Sequence, residues 1–353
     1  MTPSDVYVLG AGMLTPVGDE AGQTRTSVNA GISRAAESAV YNRRYQPLTM
    51  ALLPEEHVPP LAPGLDAVPL TSRQARMLRL AAPALREALA PAPEEEPIPL
   101  FLGVPEAHPG LPDPVGKEFL SHLFEQCGKD VELDRRGSRI LPAGRAAGML
   151  AVAAAAERIG SGKIPLAIAG GVDSHLDLYL LGTLDREGRV LAEGIMDGFV
   201  PGEGACFLVL GSSEFADSES ALAKIVAFGT GREAGHRYSE EPYLGEGLSE
   251  AFRNLFAAAG TQGPVQSVFA GLNGEHLGAK EWGTAAMRHE RFLSKDYRLV
   301  HPAECFGDAG AALGALLVGL AAMGLGAGDV KGPALCWCGS DLETRVAMLL
   351  DAV

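Results

Sequence analysis

The chain has 353 residues, 47% of them hydrophobic and 6% aromatic, and its formal net charge at pH 7 is −15. A chain of this size buries a large core, packed here by small aliphatic side chains rather than by rings. The acidic excess argues against partners that are themselves polyanions, namely nucleic acid and an anionic membrane surface. No apolar run reaches the roughly 20 residues of a membrane span. Five scattered cysteines indicate free thiols, so we expect a cytoplasmic protein.

The first part of the chain is predicted to alternate strands and helices. Residues 6–18 form an apolar strand that enters a glycine-containing turn, and residues 48–70 are proline-rich and irregular. Helical periodicity covers residues 72–89, and residues 98–104 are predicted to be a strand, with Pro99 tolerated near its start. This alternation is typical of an α/β fold.

Residues 142–148 (PAGRAAG) open a helix of alanine, glycine and apolar side chains, which ends in a glycine turn before a strand over residues 164–169. A helix with so little polar surface is expected to lie buried between layers. Its first turn carries free N–H groups and a partial positive charge, which suits a thiolate or an oxyanion. Arg145, in this turn, has the opposite sign.

Three segments resemble the β-ketoacyl synthase branch of the thiolase superfamily. They are residues 6–18, residues 169–173 (AGGVD) and residues 197–205 (DGFVPGEGA). The third is the most specific, because a glycine-punctuated loop with an internal glutamate that enters an apolar strand is seldom met by chance. The resemblance implies a thiolase-like fold, in which two duplicated α/β halves give a five-layered α-β-α-β-α architecture. The halves are expected over residues 1–213 and 220–353.

An internal repeat agrees with this duplication. Arg145 lies at the start of one small-residue helix, and Asp308 lies at the start of another, over residues 309–325, before the strand-like residues 334–338. A pseudo-twofold axis of the thiolase type brings both helix starts to the centre of the molecule. We therefore predict that Arg145 and Asp308 face each other.

The resemblance also implies where catalysis would take place, and this chain departs from the family there. The nucleophilic cysteine corresponds to Arg145, and the two histidines correspond to Glu275 in NGEHLG and Asp308 in CFGDAG. Decarboxylative condensation needs a thiolate to hold the acyl chain and neutral imidazoles to stabilise the enolate. Arginine cannot be acylated, and carboxylates repel an enolate. We expect no catalytic residues here and predict an ion-pair network of the three side chains, in which Asp308 can also cap its helix.

Two further family positions are altered. The lysine expected five residues before the second histidine falls on Ala303, and the Phe-Gly-Gly-Thr-Asn loop that helps to form the oxyanion hole has become residues 336–341 (CWCGSD). Cys336 and Cys338 lie on one face of the predicted strand, without the second ligand pair of a zinc site. We therefore expect neither a metal nor a cofactor.

Cys305 and His276 are the fallback candidates for a nucleophile, because they lie close in sequence to the altered positions. A free cysteine more often packs as a small buried hydrophobe than reacts. His276 directly follows a segment that matches the family without a gap, which favours a structural role.

Two classes of function follow. The first is a catalytically inactive β-ketoacyl synthase-like protein that acts by protein binding, as a homodimer or as a heterodimer with a thiolase-like subunit. The NGE and EWG segments, with residues 304–308, resemble thiolase-like proteins encoded beside type VI secretion effectors. That resemblance implies an accessory or adaptor role with an effector as partner. A subunit similar to a chain length factor is another variant, although the short chain counts against it.

The second class is an acyltransferase or ketoacyl synthase-type enzyme that uses a non-standard nucleophile on acyl-CoA or on an acyl carrier protein. Cys305 and His276 are its candidate residues. The sequence favours the first class, because every position that would carry the family's chemistry has changed.

Overall fold

A computed structural model describes residues 6–91, 97–128, 131–216, 221–260 and 263–353. The strands are β1 (Val6–Leu14), β2 (Ala36–Tyr41), β3 (Pro47–Met50), β4 (Leu100–Val104), β5 (Arg139–Pro142), β6 (Leu166–Ser174), β7 (Glu203–Ser212), β8 (Ala223–Arg232), β9 (Val265–Ala270), β10 (Leu293–Val300), β11 (Ala334–Gly339) and β12 (Thr344–Asp351). The helices are α1 (Ala21–Asn29), α2 (Ser72–Leu89), α3 (Phe119–Cys127), α4 (Ala147–Gly160), α5 (Leu178–Arg186), α6 (Glu246–Ala259), α7 (His276–Arg288), α8 (Ala303–Phe306) and α9 (Leu313–Gly326).

Ten of these strands form one sheet, in the order β10-β9-β11-β12-β8-β1-β7-β6-β4-β5, and β2 and β3 form a separate hairpin. The large sheet consists of two groups of five strands with the same order and directions. In the first group β1, β7 and β6 are antiparallel neighbours, and β4 and β5 continue parallel to β6. In the second group β8, β12 and β11 are antiparallel neighbours, and β9 and β10 continue parallel to β11. A three-residue contact between β1 and β8 joins the groups.

The helices complete a five-layered arrangement. Helices α2 and α3 pack on the outer face of the first strand group, α6 and α7 pack on the outer face of the second, and α4 and α9 lie between the two groups. The α/β thiolase-like fold class predicted from the sequence is therefore confirmed.

Helices α4 and α9 show why the central layer is so rich in small residues. A Cβ atom on Gly148 would lie 2.9 Å from the carbonyl oxygen of Ala311, and one on Gly314 would lie 2.7 Å from the backbone nitrogen of Met149. The two helix backbones thus approach more closely than larger side chains allow. This contact holds the starts of both helices at the centre of the molecule.

The starts of these helices differ in detail from the prediction. A 3₁₀ turn, Gly144–Ala146, precedes α4, and a matching turn, Gly310–Ala312, precedes α9. Gly144 and Gly310 both have φ near +52°, so Gly310 is the counterpart of Gly144. Asp308 therefore lies two residues before the turn, and the helix predicted from residue 309 begins at residue 313.

Other predicted elements agree more closely. Helix α2 has the predicted bounds, and its start is fixed because the Thr71 hydroxyl accepts the backbone N–H of Gln74 while the Gln74 side chain accepts that of Thr71. The strand predicted at 164–169 is longer, since β6 continues through Gly170 and Gly171, which pair with β7.

The two proposed halves meet between residues 213 and 220, after the end of β7 and before β8. Residues 217–220, like residues 1–5, lie outside the described part of the chain, so this boundary stays a proposal.

All five cysteines are free and buried. Among the helices of the described residues, none has the length and apolar character needed to cross a membrane.

Candidate functional site

Arg145 lies at the centre of the molecule, on the 3₁₀ turn between β5 and α4. Its Nη1 atom is 3.2 Å from Oδ2 of Asp308 and 3.9 Å from Oε2 of Glu275. The two carboxylate side chains are 0% and 3% exposed. The structure thus brings together the three side chains that the sequence predicted to form an ion-pair network.

Asp341, in the turn between β11 and β12, is the hub of this network, and sequence reasoning missed it. Its carboxylate lies 2.6 Å from Nη2 of Arg145, 2.7 Å from Nη1 of Arg189 and 3.6 Å from Nε of Arg237. The residue belongs to the altered oxyanion loop. Nothing in the local pattern indicates that its carboxylate turns toward three arginines.

Glu275 pairs with two of the same arginines, Arg189 and Arg237. Arg189 binds it through two contacts, Nε to Oε1 at 2.9 Å and Nη2 to Oε2 at 3.0 Å, and Nη2 of Arg237 lies 2.8 Å from Oε1. Three cations therefore balance three anions. We call these six side chains the arginine–carboxylate cluster: Arg145, Arg189, Arg237, Glu275, Asp308 and Asp341.

Asn273 orients two of the carboxylates. Its Nδ2 atom donates to Oδ2 of Asp308 at 2.8 Å and to Oε2 of Glu275 at 3.0 Å, and its Oδ1 atom accepts the backbone N–H of Glu275 at 3.1 Å. The other Asp308 oxygen accepts the backbone N–H of Gly310 at 2.9 Å. Asp308 therefore pairs with Arg145 and also binds the turn before α9. It does not cap the helix as the sequence predicted, because α9 begins at Leu313, with Ala312 at its N-cap.

The arginines keep the buried carboxylates ionised. Burial alone would raise the pKa of Asp308, but Arg145 and the hydrogen bonds from Asn273 and Gly310 hold it below its usual value. Against the same effect of burial, Arg145 and Arg189 hold the pKa of Asp341 far below its usual range. Asp308 and Asp341 are therefore ionised at neutral pH.

These shifts predict that the cluster's contribution to stability is lost in acid. The pKa values of Asp308 and Asp341 are lower in the folded protein than the usual value near 3.9. The unfolded chain therefore binds protons first as the pH falls, and the contribution, fully present above about pH 5, declines below it. We expect the unfolding free energy, measured by urea denaturation, to fall less steeply between pH 5 and 3 in Asp308→Asn than in the wild type.

Asp329→Asn is the control for this titration, since Asp329 is 44% exposed and pairs with Arg25 at the surface. It should keep the wild-type slope. An unchanged slope in Asp308→Asn would contradict the assignment.

A further carboxylate, that of Glu106, contacts the altered oxyanion loop from another segment. Oε1 of Glu106 accepts the backbone N–H of Asp341 at 2.8 Å. Glu106 lies against the turn that opens α4, because a Cβ atom on Gly144 would lie only 2.5 Å from the same oxygen. Burial and the charge of Asp341 raise the pKa of Glu106. Sequence reasoning missed this residue as well.

A cavity of about 80 Å³ lies beside the cluster and opens to solvent. Arg145 and Asp341 reach it from the centre of the molecule, Phe199 and α5 form one side, and residues 105–114 form another. Its charged groups already have partners, since Arg145 binds the cluster and Glu106 binds the loop after β11.

The two fallback nucleophiles lie elsewhere. Cys305 in α8 is 1% exposed and packs in the central core, and burial raises the pKa of its thiol to about 11. His276 begins α7 with its side chain 79% exposed, and its Nδ1 atom is 3.4 Å from Oδ1 of Asp197. A thiol that stays protonated is a weak nucleophile, and His276 lies at the surface.

The described residues contain no group of three or more His, Cys, Asp or Glu side chains that could hold a metal ion. Cys336 and Cys338 both pack into the central core, on one face of β11 as predicted.

The family of the β-ketoacyl synthase N-terminal domain matches residues 136–216, which include Arg145 and the DGFVPGEGA loop. No curated protein matches the sequence significantly. Among solved structures, the chain is similar to the ishigamide ketosynthase/chain length factor, with a TM-score of 0.77 and 18% identity over 99% of this chain and 100% of that one.

Two further structures have the same fold over their length. A β-ketoacyl synthase from Burkholderia phymatum has a TM-score of 0.74 and 17% identity, with 99% of this chain and 100% of that one covered. A ketosynthase in complex with its chain length factor from Xenorhabdus doucetiae has a TM-score of 0.75 and 15% identity, with 99% and 98% covered. The chain therefore has the thiolase-like fold of these ketosynthases, and its residues 136–216 match the β-ketoacyl synthase N-terminal domain.

Proposed function

We propose that this chain is a catalytically inactive β-ketoacyl synthase-like protein that acts by binding another protein. The observation that carries the proposal is Arg145, which stands where the resemblance implies the nucleophile and binds Asp308 and Asp341. Although burial acts against it, those carboxylates raise the pKa of Arg145. A permanently charged guanidinium cannot hold an acyl chain as a thiolate does.

The remainder of the site supports the same conclusion. Glu275 and Asp308, at the histidine positions, are bound to arginines and to Asn273. Glu106 accepts a hydrogen bond from the backbone N–H of Asp341. Asp341 lies in the loop that corresponds, by the resemblance, to the loop that helps to form the family's oxyanion hole. A thioester carbonyl that entered this loop would have to displace a carboxylate, and its developing negative charge would lie beside further carboxylates.

For the partner we propose a thiolase-like subunit, either a second copy of this chain or a different one. The neighbouring structures include ketosynthases with chain length factors and an acyl-carrier protein in complex with its ketosynthase. Strand β5 ends one side of the sheet in the described structure, and such an edge can add a strand from a partner. Sedimentation of the purified chain distinguishes self-association from a need for a second subunit.

The accessory role beside a type VI secretion effector remains part of this proposal, and it rests on the sequence resemblance of the NGE, EWG and 304–308 segments. An effector or a carrier protein would then be the bound protein. Either role fits a chain that has kept the fold and replaced the reactive side chains.

Intact-protein mass spectrometry tests the loss of catalysis. After incubation with malonyl-CoA, acyl-CoA or a loaded acyl carrier protein, we expect the wild-type mass to be unchanged, while an active β-ketoacyl synthase treated in parallel gains the acyl mass. The result follows because the described site offers a guanidinium in place of a thiolate and because Cys305 is buried and protonated.

The alternative acyltransferase function makes the opposite prediction. An acyl adduct that disappears in Cys305→Ala or in His276→Ala would identify a relocated nucleophile and overturn the proposal. Cys127→Ala is the matched control, since Cys127 is also a buried thiol whose pKa is raised by burial to about 12.

A further inference from the structure

The surface formed by the end of α7, the strand β10 and the adjacent side of α6 carries an excess of positive charge, although the formal net charge of the chain is −15. Residues 286–299 contain four cations and only two carboxylates, those of Glu290 and Asp296. Arg253 on α6 adds a fifth cation. We call these five exposed residues the cationic surface: Arg253, Arg288, Arg291, Lys295 and Arg298. Within the described part of the chain, none of them forms an ion pair with a carboxylate.

Packed rings hold α6 against the end of α7 beneath this surface. The ring centroid of His289 lies 5.8 Å from that of Phe252 and 6.0 Å from that of Phe256. Phe256 in turn stacks on Phe292, with 4.1 Å between the centroids. The two helices therefore form one rigid base for the arginines, which lowers the entropic cost of ordering them around a ligand.

The imidazole of His289 reports the charge around it. Burial lowers the pKa of His289, and a hydrogen bond with the backbone of Ser249 opposes this effect. The charges of Arg253, Arg291 and Arg288 lower the pKa further. Three arginines from two helices therefore lie around one imidazole, which is neutral at pH 7 and leaves their charge unbalanced.

Strand β10 extends the cationic surface along an edge of the sheet. It is the end strand beside β9 in the described sheet, and its pairing with β9 shifts between Leu293 and Arg298. Lys295 lies in the shifted part and is exposed. A second copy of this chain would bring the same positive excess to the edge, and like charges on facing strands are destabilising. The edge therefore suits a segment of opposite charge.

Two features favour an acidic protein segment over nucleic acid as the ligand. Exposed apolar side chains lie next to the cations, since Met287 precedes Arg288 and is 70% exposed, and Leu299 follows Arg298 and is 37% exposed. A protein partner can cover such side chains, and methionine and arginine are both enriched at protein interfaces. The net charge of the chain repels a long polyanion, whereas a short acidic segment experiences mainly the cations within the screening length of about 8 Å.

We propose that the cationic surface binds an acidic segment of a partner protein through ion pairs with its carboxylates. Each guanidinium of the surface can bind a carboxylate through two parallel hydrogen bonds. Glu275 directly precedes α7 and Arg288 ends it, so the helix separates the surface from the arginine–carboxylate cluster by about 20 Å, at 1.5 Å per residue. Binding at this surface is therefore independent of the loss of catalysis proposed above.

Fluorescence anisotropy of labelled peptides tests the proposal. The probe is a fluorescein-labelled peptide of repeated Glu-Glu-Leu units, and the same peptide with Gln in place of Glu is its neutral counterpart. We expect only the acidic peptide to bind, with an affinity that falls as the salt concentration rises. Arg288→Glu/Arg291→Glu should weaken this binding about tenfold, because it replaces two exposed attractive pairs with repulsive ones.

Lys117→Glu/Lys163→Glu is the matched control, because it makes the same change in net charge at two exposed lysines of the first half of the chain. It should keep the wild-type affinity. Lys295→Glu/Arg298→Glu tests the other end of the surface and should also weaken binding, and it decides if the arginine variant does not fold by circular dichroism.

Four results would overturn the proposal. The first two are an absence of binding to the wild type and equal binding of the neutral peptide. The third is equal affinity in the control and in the charge-reversed variants of the surface. The fourth is tighter binding of a single-stranded oligonucleotide, or self-association of the wild type that is lost in Arg288→Glu/Arg291→Glu, since these would identify nucleic acid or a second copy as the ligand. None of them changes the result expected from the acylation experiment.

Discussion

Replacing Arg145 with methionine should lower the free energy of unfolding at pH 7 by about 3–5 kcal/mol, the usual effect of breaking a buried ion pair from one side. Methionine keeps the length of the side chain but leaves Asp308, which is 0% exposed, with Asn273 and Gly310 as its neutral donors. Asp341 retains Arg189. Urea denaturation followed by circular dichroism measures the change.

The matched control is Arg232→Met, because Arg232 is 73% exposed and pairs with Glu343 at 2.7 Å. An exposed pair of this kind contributes at most about 1 kcal/mol. The double variant Arg145→Met/Asp308→Asn should be more stable than Arg145→Met alone, since it also removes the orphaned charge. If Arg145→Met lost no more stability than Arg232→Met, the cluster would not be a buried network.

Glu281→Gln should lower the unfolding free energy by a similar amount, about 3–5 kcal/mol. Glu281 on α7 pairs with Arg345 on β12 at 2.6 Å, and the two side chains are 4% and 2% exposed. Nη1 of Arg345 also lies within hydrogen-bond distance of the carbonyl oxygens of Ser340 and Leu342. The pair therefore holds the turn that carries Asp341.

Glu343→Gln, in the same turn but with a side chain 48% exposed, is the control and should change the unfolding free energy by less than about 1 kcal/mol. Tryptophan fluorescence provides a local readout, since Trp282, next to Glu281, stacks on Trp337 with 5.6 Å between ring centroids. Equal stability of the two variants would show that the buried pair contributes no more than a surface pair.

Much of the fold could be predicted because its signals are local. The periodicity over residues 72–89 gave the bounds of α2, and the alanine- and glycine-rich composition of α4 and α9 indicated a buried central layer. The exact helix starts could not be predicted, because the 3₁₀ turns at Gly144 and Gly310 lie against Glu106 and Asp173, which are distant in the sequence.

The candidate site was predicted only in part. Arg145, Glu275 and Asp308 were found because family motifs mark their positions. Arg189 and Arg237 lie in segments without a motif or a periodic pattern, so nothing in their neighbourhood indicates that they turn inward. Asp341 was known as part of an altered loop, but the direction of its side chain was not.

The sequence by itself determined the α/β class, the duplicated small-residue helices and the presence of Arg145, Glu275 and Asp308, because periodicity and residue identity are properties of the chain. Only the tertiary structure decided that three arginines pair with three carboxylates, and that Glu106 accepts a hydrogen bond from the backbone N–H of Asp341. These contacts join residues 38 to 235 positions apart. Such pairs form only when the layers bring their loops to one place and exclude the water that would otherwise solvate each charge.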